Sequence, residues 1–206
     1  MTISMPVEPA ANELLSSDPL ALLIGMLLDQ QVPLERAFSA PYDLVRRLGH
    51  QPTTDELAGY DPEALAAVFA ERPALHRYPK SMAARVQSMA QLLMARYDGD
   101  AGRVWGDAAD GADLLKRVAE LPGFGAQKAQ IFVALLGKRL GVQPPGWREA
   151  AGPFGADGSY ISVADISDAE SLGRVRAYKQ ELKAAAKAKT GAAAAATKPK
   201  TAAKSR

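Results

Sequence analysis

The chain of 206 residues contains no cysteine and only two histidines. The absence of cysteine excludes disulfide bonds, thiolate metal sites, a cysteine nucleophile and a cysteine-ligated iron–sulfur cluster. His50 and His76 lie far apart in the sequence and form no metal-ligand pattern. We therefore expect no metal site made of side chains.

Aromatic residues are also scarce, at 6% of the chain, and β-branched residues are few, whereas alanine and leucine dominate. This composition favours an all-α fold. The longest apolar run, residues 20–28, is too short to cross a bilayer, and the N-terminus lacks the pattern of a signal peptide. We expect a cytoplasmic monomer with no membrane partner.

The positive charge of the chain lies almost entirely at its C-terminal end. Residues 179–206 carry eight Lys or Arg and one Glu, a net charge of +7, so the total of +2 leaves −5 for the remainder. Lysines interleaved with alanine, threonine and proline predict a disordered basic tail over residues 190–206. Such a tail would contact DNA phosphates without sequence preference, and the protein would then be associated with the nucleoid. Alternatively, the tail only increases solubility.

The chain divides at the sequence level into a flexible arm over residues 1–16, one helical domain over residues 17–189, and the tail. Asp18-Pro19 and Asp61-Pro62 each place a capping carboxylate before a proline, which is typical of a helix start. The segments "GADLLKRVAE" and "AQKAQIFVALLGKRLG" have helical periodicity on both sides of "LPGFG". They predict a helix-hairpin-helix unit over about residues 111–140.

The stretch "LPGFG" suits a phosphate-binding hairpin. Gly123 and Gly125 lack a Cβ, so they permit a positive φ and a close approach of another molecule. The start of the second helix presents unpaired N–H groups, which favour an anion. Lys128, one turn later, could add a charged contact. Alternatively, the glycines only close a tight turn between two helices.

The stretch "AELPGFGAQKAQIFVALLGKR" resembles the helix-hairpin-helix of base-excision DNA glycosylases in the endonuclease III and adenine-glycosylase superfamily. "DPLALLIGMLLDQQVPLERA" resembles the first core helix of that family and the turn after it, and "KSMAARVQSMAQLLMARYDGD" resembles the helix before the hairpin unit. The resemblance spans about residues 18–150. It is to a short branch of actinobacterial type that has no iron–sulfur cluster.

This resemblance implies a two-lobed helical fold that binds double-stranded DNA, flips one nucleotide out and cuts its N-glycosidic bond. It also implies a monovalent cation on backbone carbonyls of the hairpin and no other cofactor. Gln31 falls where family members insert a side chain into the gap left by the flipped base; alternatively, it is only a polar residue at a helix end. The residues assigned to DNA contact are Gln31, Leu121, Gly123, Phe124, Gly125, Ala126, Gln127 and Lys128.

The catalytic residues of the family are not retained in this chain. The family's catalytic Asp falls where this chain has Pro144 and Pro145, and its lyase lysine falls at Gln127. Lys128 is one residue later, about 100° further around a helix, so we expect no lyase chemistry. The nearest carboxylates are Glu149, a weak catalytic candidate, and Asp157 and Asp165, which we interpret as turn and cap residues. Trp147 is a candidate for stacking on a base, or a hydrophobic anchor.

Overall fold

The computed structural model describes residues 2–196, and within that range it is helical and contains no β-strand. The α-helices are α1 (Pro9–Ser17), α2 (Pro19–Leu28), α3 (Leu34–Leu48), α4 (Thr54–Gly59), α5 (Pro62–Ala70), α6 (Pro79–Tyr97), α7 (Arg103–Gly106), α8 (Gly111–Ala119), α9 (Ala126–Leu135), α10 (Trp147–Ala150) and α11 (Ala169–Ala196). A π-helical turn, Leu136–Leu140, continues α9, and two 3₁₀ turns, Gly152–Gly155 and Val163–Asp165, precede α11. The expected all-α fold is confirmed.

Several helices begin where the sequence predicts them. The Asp18 carboxylate accepts a hydrogen bond from the Leu20 N–H at 2.8 Å, and Asp61 accepts one from the Ala64 N–H at 2.8 Å. In both cases proline occupies the first helical turn, where no N–H is needed. A side-chain cap of this kind is typically worth about 1 kcal/mol.

One hydrophobic core joins the two halves of the described chain. In the first half, α1 and α3 pack on α2, while α4 and α5 pack on α6. In the second half, α8, α9 and α10 pack together, and both 3₁₀ turns pack on α9. The large side chains Phe38, Phe69 and Phe132 are fully buried in this core. The packing places the end of α2 against the start of α9.

The N-terminal segment differs from the predicted flexible arm. Residues 9–17 form α1, and Ile3, Met5 and Leu15 are buried in the core. The Asn12 side-chain amide holds the segment before α1 in place, because it accepts a hydrogen bond from the Met5 N–H and donates one to the Met5 carbonyl. The arm prediction was therefore wrong, because a few apolar residues with a local amide clamp bury enough surface to order this segment.

The C-terminal boundary also differs from the prediction. We predicted a disordered tail from residue 190, whereas α11 continues to Ala196. Alanine and lysine both have high helix propensity, so the composition that predicts disorder also supports a helix. Residues 197–206 of the predicted tail lie outside the described residues.

Among the described helices, none alone is long and apolar enough to cross a bilayer. Helices α1 and α2 meet those criteria only when taken together, and they are bent by 114° relative to each other.

Candidate nucleic-acid interface

The hairpin between α8 and α9 is a tight turn whose geometry follows from its sequence. The Phe124 N–H donates to the Leu121 carbonyl at 3.0 Å, and Gly123 has a φ of 87°. Proline at the second position and a positive-φ glycine at the third are the requirements of a type II turn. Leu121 and Phe124 are 2% and 4% exposed, so they anchor the turn in the core. Of the predicted DNA contacts, these two could contribute only through their backbones.

The first turn of α9 is open to an anion. Gly125 is the N-cap residue and provides no side-chain cap, and Gly123, Gly125, Ala126 and Gln127 are all exposed. The first N–H groups of a helix have no partner inside the helix, and they carry the positive end of the helix dipole. This end of α9 therefore offers uncapped backbone donors on an exposed surface, as the sequence predicts for phosphate.

The two hairpin positions favour glycine for different structural reasons. Gly123 needs its positive φ, and a Cβ built there would lie 3.4 Å from the Leu27 side chain. Gly125 has an ordinary φ of −76°, and a Cβ there would meet nothing within 4 Å. Of the two properties that glycine offers here, Gly123 uses the positive φ and Gly125 uses only the missing Cβ. Because Gly125 has no side chain, the space at the N-terminal end of α9 stays open.

Lys128 does not extend from the hairpin towards solvent. Its Nζ donates to the carbonyls of Met26 and Leu27 at 2.9 and 3.0 Å, at the C-terminal end of α2. Burial lowers the pKa of Lys128 to about 8, against a counteracting effect of the nearby Asp29. The amine is therefore already engaged by the end of α2, which disfavours the phosphate contact suggested by the sequence. The amine caps α2 instead, where a cation also suits the helix dipole.

The four last carbonyls of α2 are all satisfied. Gly25 accepts from the Asp29 N–H, and Leu28 accepts from the Gln30 N–H. Lys128 bonds the carbonyls of Met26 and Leu27, and the Gln30 side chain adds a second bond to Leu27 at 2.7 Å. A lysine of the hairpin unit thus completes the end of a helix from the other half of the chain.

The two glutamines after α2 have different environments. Gln30 is held inward: its Oε1 accepts from Arg85 at 3.1 Å, and its carbonyl accepts from His76 Nε2 at 2.8 Å. The Tyr78 N–H donates to His76 Nδ1, which leaves the ring proton on Nε2. Gln31 is exposed and has a φ of 57°, an uncommon conformation for a residue other than glycine. Gln31 is therefore the glutamine presented outward from the end of α2.

Two charged residues at this junction were missed by the sequence analysis. Arg85 is exposed on α6, and its Cδ would lie 4.0 Å from a Cβ built on Gly123. Asp29 is partly exposed at the end of α2, and burial raises the pKa of its carboxyl, although Lys179 and Lys128 act to lower it. No local pattern identifies either residue, because the neighbours of Arg85 are Gln30 and Gly123, and the charges near Asp29 come from α9 and α11.

The predicted catalytic region packs on the first turn of α8. The Pro145 carbonyl accepts from the Gly111 N–H at 2.8 Å, and a Cβ on Gly111 would collide with Gly146 and Trp147. The Pro144–Pro145–Gly146 turn is thus docked on the first turn of α8. Glu149 is exposed and lines a groove between α8 and α10. None of the residues that line this groove belongs to the hairpin turn.

The other predicted carboxylates have structural partners. Asp165 is buried; it pairs with Lys138 at 2.6 Å and accepts from the N–H groups of Ile161 and Ser162. Asp157 is exposed and pairs with Arg148 at 2.6 Å. Their interpretation as cap and turn residues agrees with these contacts.

Trp147 is an internal anchor. It is 6% exposed, and its ring occupies the space that a Cβ on Gly137 would need. The Arg148 guanidinium lies 4.6 Å from the centre of the same ring. This arrangement favours the hydrophobic-anchor alternative over base stacking.

The described residues contain no group of three or more His, Asp and Glu side chains that could hold a metal ion. The monovalent cation on hairpin carbonyls stays a prediction.

Residues 24–194 match the family model described as "HhH-GPD superfamily base excision DNA repair protein". The matched range includes α2 from Ile24 onward, the whole hairpin unit and nearly all of α11. A search of curated proteins found no match, and neither did a search of solved structures.

Proposed function

Because the chain belongs to the HhH-GPD superfamily of base excision DNA repair proteins, we propose that it is a monofunctional DNA glycosylase. Its substrate would be a damaged or mismatched base in double-stranded DNA, flipped out of the helix before its N-glycosidic bond is hydrolysed. The protein would act as a cytoplasmic, nucleoid-associated monomer.

The observation that carries this proposal is the pairing of two features across the junction of α2 and α9. One is the uncapped N-terminus of α9, suited to a backbone phosphate. The other is the exposed Gln31 in a left-handed conformation, suited to filling the gap left by a flipped base. Lys128 ties the two together, because it belongs to α9 and bonds the carbonyls at the end of α2. Phosphate contacts position DNA, and the inserted side chain stabilises its opened form.

We propose that the enzyme has no lyase activity. Gln127 occupies the family's lysine position, and an amide cannot form a Schiff base. Lys128 has a lowered pKa, which favours nucleophilic chemistry, but its amine is bonded to two carbonyls. Borohydride should therefore trap no covalent complex between the protein and abasic DNA. A trapped complex that is lost in Lys128→Gln would contradict this part of the proposal.

A second candidate function is binding without catalysis. It is favoured by the docked Pro144–Pro145–Gly146 turn, which replaces the family's catalytic Asp with residues that serve the packing of α8. Such a protein would recognise damaged or bent DNA and leave its bases in place.

A panel of duplexes, each with one damaged or mismatched base, separates the two functions. A glycosylase converts at least one duplex to an abasic product, which alkali then cleaves at the lesion. A binding module shows higher affinity for one or more of these duplexes than for undamaged DNA, and no cleavage. Equal affinity for every duplex, without cleavage, would contradict both.

A further inference from the structure

Asp29, a carboxylate that the sequence analysis did not single out, is at the C-terminal end of α2, where the hairpin lysine Lys128 also bonds. Asp29 is followed by Gln30 and the exposed Gln31, and its backbone N–H ends the helix by bonding the Gly25 carbonyl at 3.1 Å. The same helix end is bonded by Lys128 from the hairpin unit. Asp29 is therefore next to two parts of the proposed DNA site: the hairpin unit, through Lys128, and Gln31, the residue proposed to enter the DNA.

Asp29 differs in its contacts from the carboxylates that are held in ion pairs. Glu120 pairs with Arg96, Asp157 with Arg148, and Asp165 with Lys138. Among the described residues, the Asp29 carboxylate accepts no hydrogen bond, yet it is partly shielded from solvent. A half-buried carboxylate without a partner costs stability, and such groups concentrate at functional sites.

We propose that Asp29 is the catalytic carboxylate of this chain, in place of the Asp that the family has after the hairpin. This inference rests on the proposed glycosylase function and adds the residue that performs it.

The chemistry needs one carboxylate near C1′ of the flipped nucleotide. When the C1′–N bond breaks, its electron pair leaves with the base and the sugar becomes an oxocarbenium-like cation, which the negative charge of Asp29 stabilises. Water then bonds to C1′ and gives a proton to Asp29. Asp29 passes that proton to the departing base, so the carboxylate is regenerated and the products are the free base and an abasic sugar.

The burial of Asp29 suits this role. Desolvation raises the pKa of its carboxyl, and the positive charges of Lys128 on α9 and Lys179 on α11 oppose that rise. A carboxylate in such a site interacts more strongly with a nearby cation than one in water does. The same burial makes the charge unfavourable in the absence of DNA.

The test compares binding of two duplexes that cannot react. One contains a neutral tetrahydrofuran abasic analogue and the other a cationic pyrrolidine analogue, which resembles the charged sugar of the transition state. We expect wild-type protein to bind the pyrrolidine duplex at least about tenfold more tightly than the tetrahydrofuran duplex, a difference of about 1.4 kcal/mol. In Asp29→Asn this ratio should fall to about 1, with tetrahydrofuran affinity within about threefold of wild type.

Two matched variants make the result specific. Glu149→Gln and Asp157→Asn remove the same charge elsewhere and should keep the wild-type ratio. Asp29→Asn should melt no lower than wild type at pH 7, because it removes a desolvated charge. A wild-type ratio in Asp29→Asn, or a lost ratio in Glu149→Gln, would overturn the assignment of Asp29 and leave the glycosylase proposal standing. Wild-type protein that binds tetrahydrofuran DNA no better than undamaged DNA would overturn both.

Discussion

Replacing Gly125 with aspartate should strengthen the fold and weaken DNA binding at the same time. Gly125 is the N-cap of α9, with backbone angles of −76° and 169° that suit a capping side chain. A Cβ at this position would meet nothing within 4 Å. The aspartate side chain can therefore accept from the free N–H groups of the first turn, which are the groups that we propose for phosphate.

The size of each effect follows from this geometry. An N-cap aspartate in place of glycine, with its charge at the positive end of the helix, should raise the free energy of unfolding by up to about 1 kcal/mol. A phosphate about 4 Å from the new carboxylate is repelled by about 1 kcal/mol in water and about 4 kcal/mol near a protein surface. Loss of the backbone donors adds to that repulsion, so DNA affinity should fall by roughly tenfold to a thousandfold.

The assay pairs thermal unfolding with equilibrium binding to a tetrahydrofuran-containing duplex at fixed salt. Gly125→Ala separates added bulk from added charge and should weaken binding less than aspartate does. Gly59→Asp adds the same charge on α4, where a Cβ also meets nothing within 4 Å, and should leave affinity within about threefold of wild type. If Gly125→Asp is more stable than wild type and binds DNA equally well, the start of α9 is not a phosphate site.

Two further predictions concern the residues around the end of α2. The pKa of Lys128 is about 8, below its ordinary value of 10.5. Between pH 8 and 10 the Lys128 amine is therefore more protonated in the unfolded chain than in the folded chain. The free energy of unfolding should consequently rise with pH over this range. Over that range the free energy of unfolding of wild type should gain about 2 kcal/mol relative to Lys128→Met, measured by urea unfolding, and a constant difference would refute this pKa. Gln31→Ala should keep the affinity for undamaged DNA and lose most of the preference for a tetrahydrofuran duplex, whereas an unchanged preference would show that Gln31 does not enter the DNA.

The hairpin could be predicted from sequence because its causes are local. Proline and glycine at adjacent positions specify the turn, and glycine before a helix leaves its first N–H groups uncapped. The direction of Lys128 could not be predicted in this way. It depends on where α2 ends, and α2 lies about a hundred residues earlier in the chain.

Burial was the other property that the sequence left undetermined. Asp29 is one polar residue at a helix end in the sequence, and only burial in the fold raises the pKa of its carboxyl, against the opposing charges of Lys179 and Lys128. Trp147 is compatible with stacking or anchoring until Gly137 is seen to leave room for its ring. Residues 1–16 were predicted to form a flexible arm, yet Ile3 and Met5 reach the core. In each case the deciding neighbour comes from a distant part of the sequence.

The decisive experiment for the proposed glycosylase is single-turnover release of a base from the lesion panel, with excess protein and alkaline cleavage of the products. We expect wild type to cleave at least one duplex at its lesion, Gly125→Asp to cleave it only at higher protein concentration, and Asp29→Asn to bind it without cleavage. The absence of cleavage by wild type across the whole panel, or full cleavage by Gly125→Asp at the wild-type concentration, would contradict these expectations.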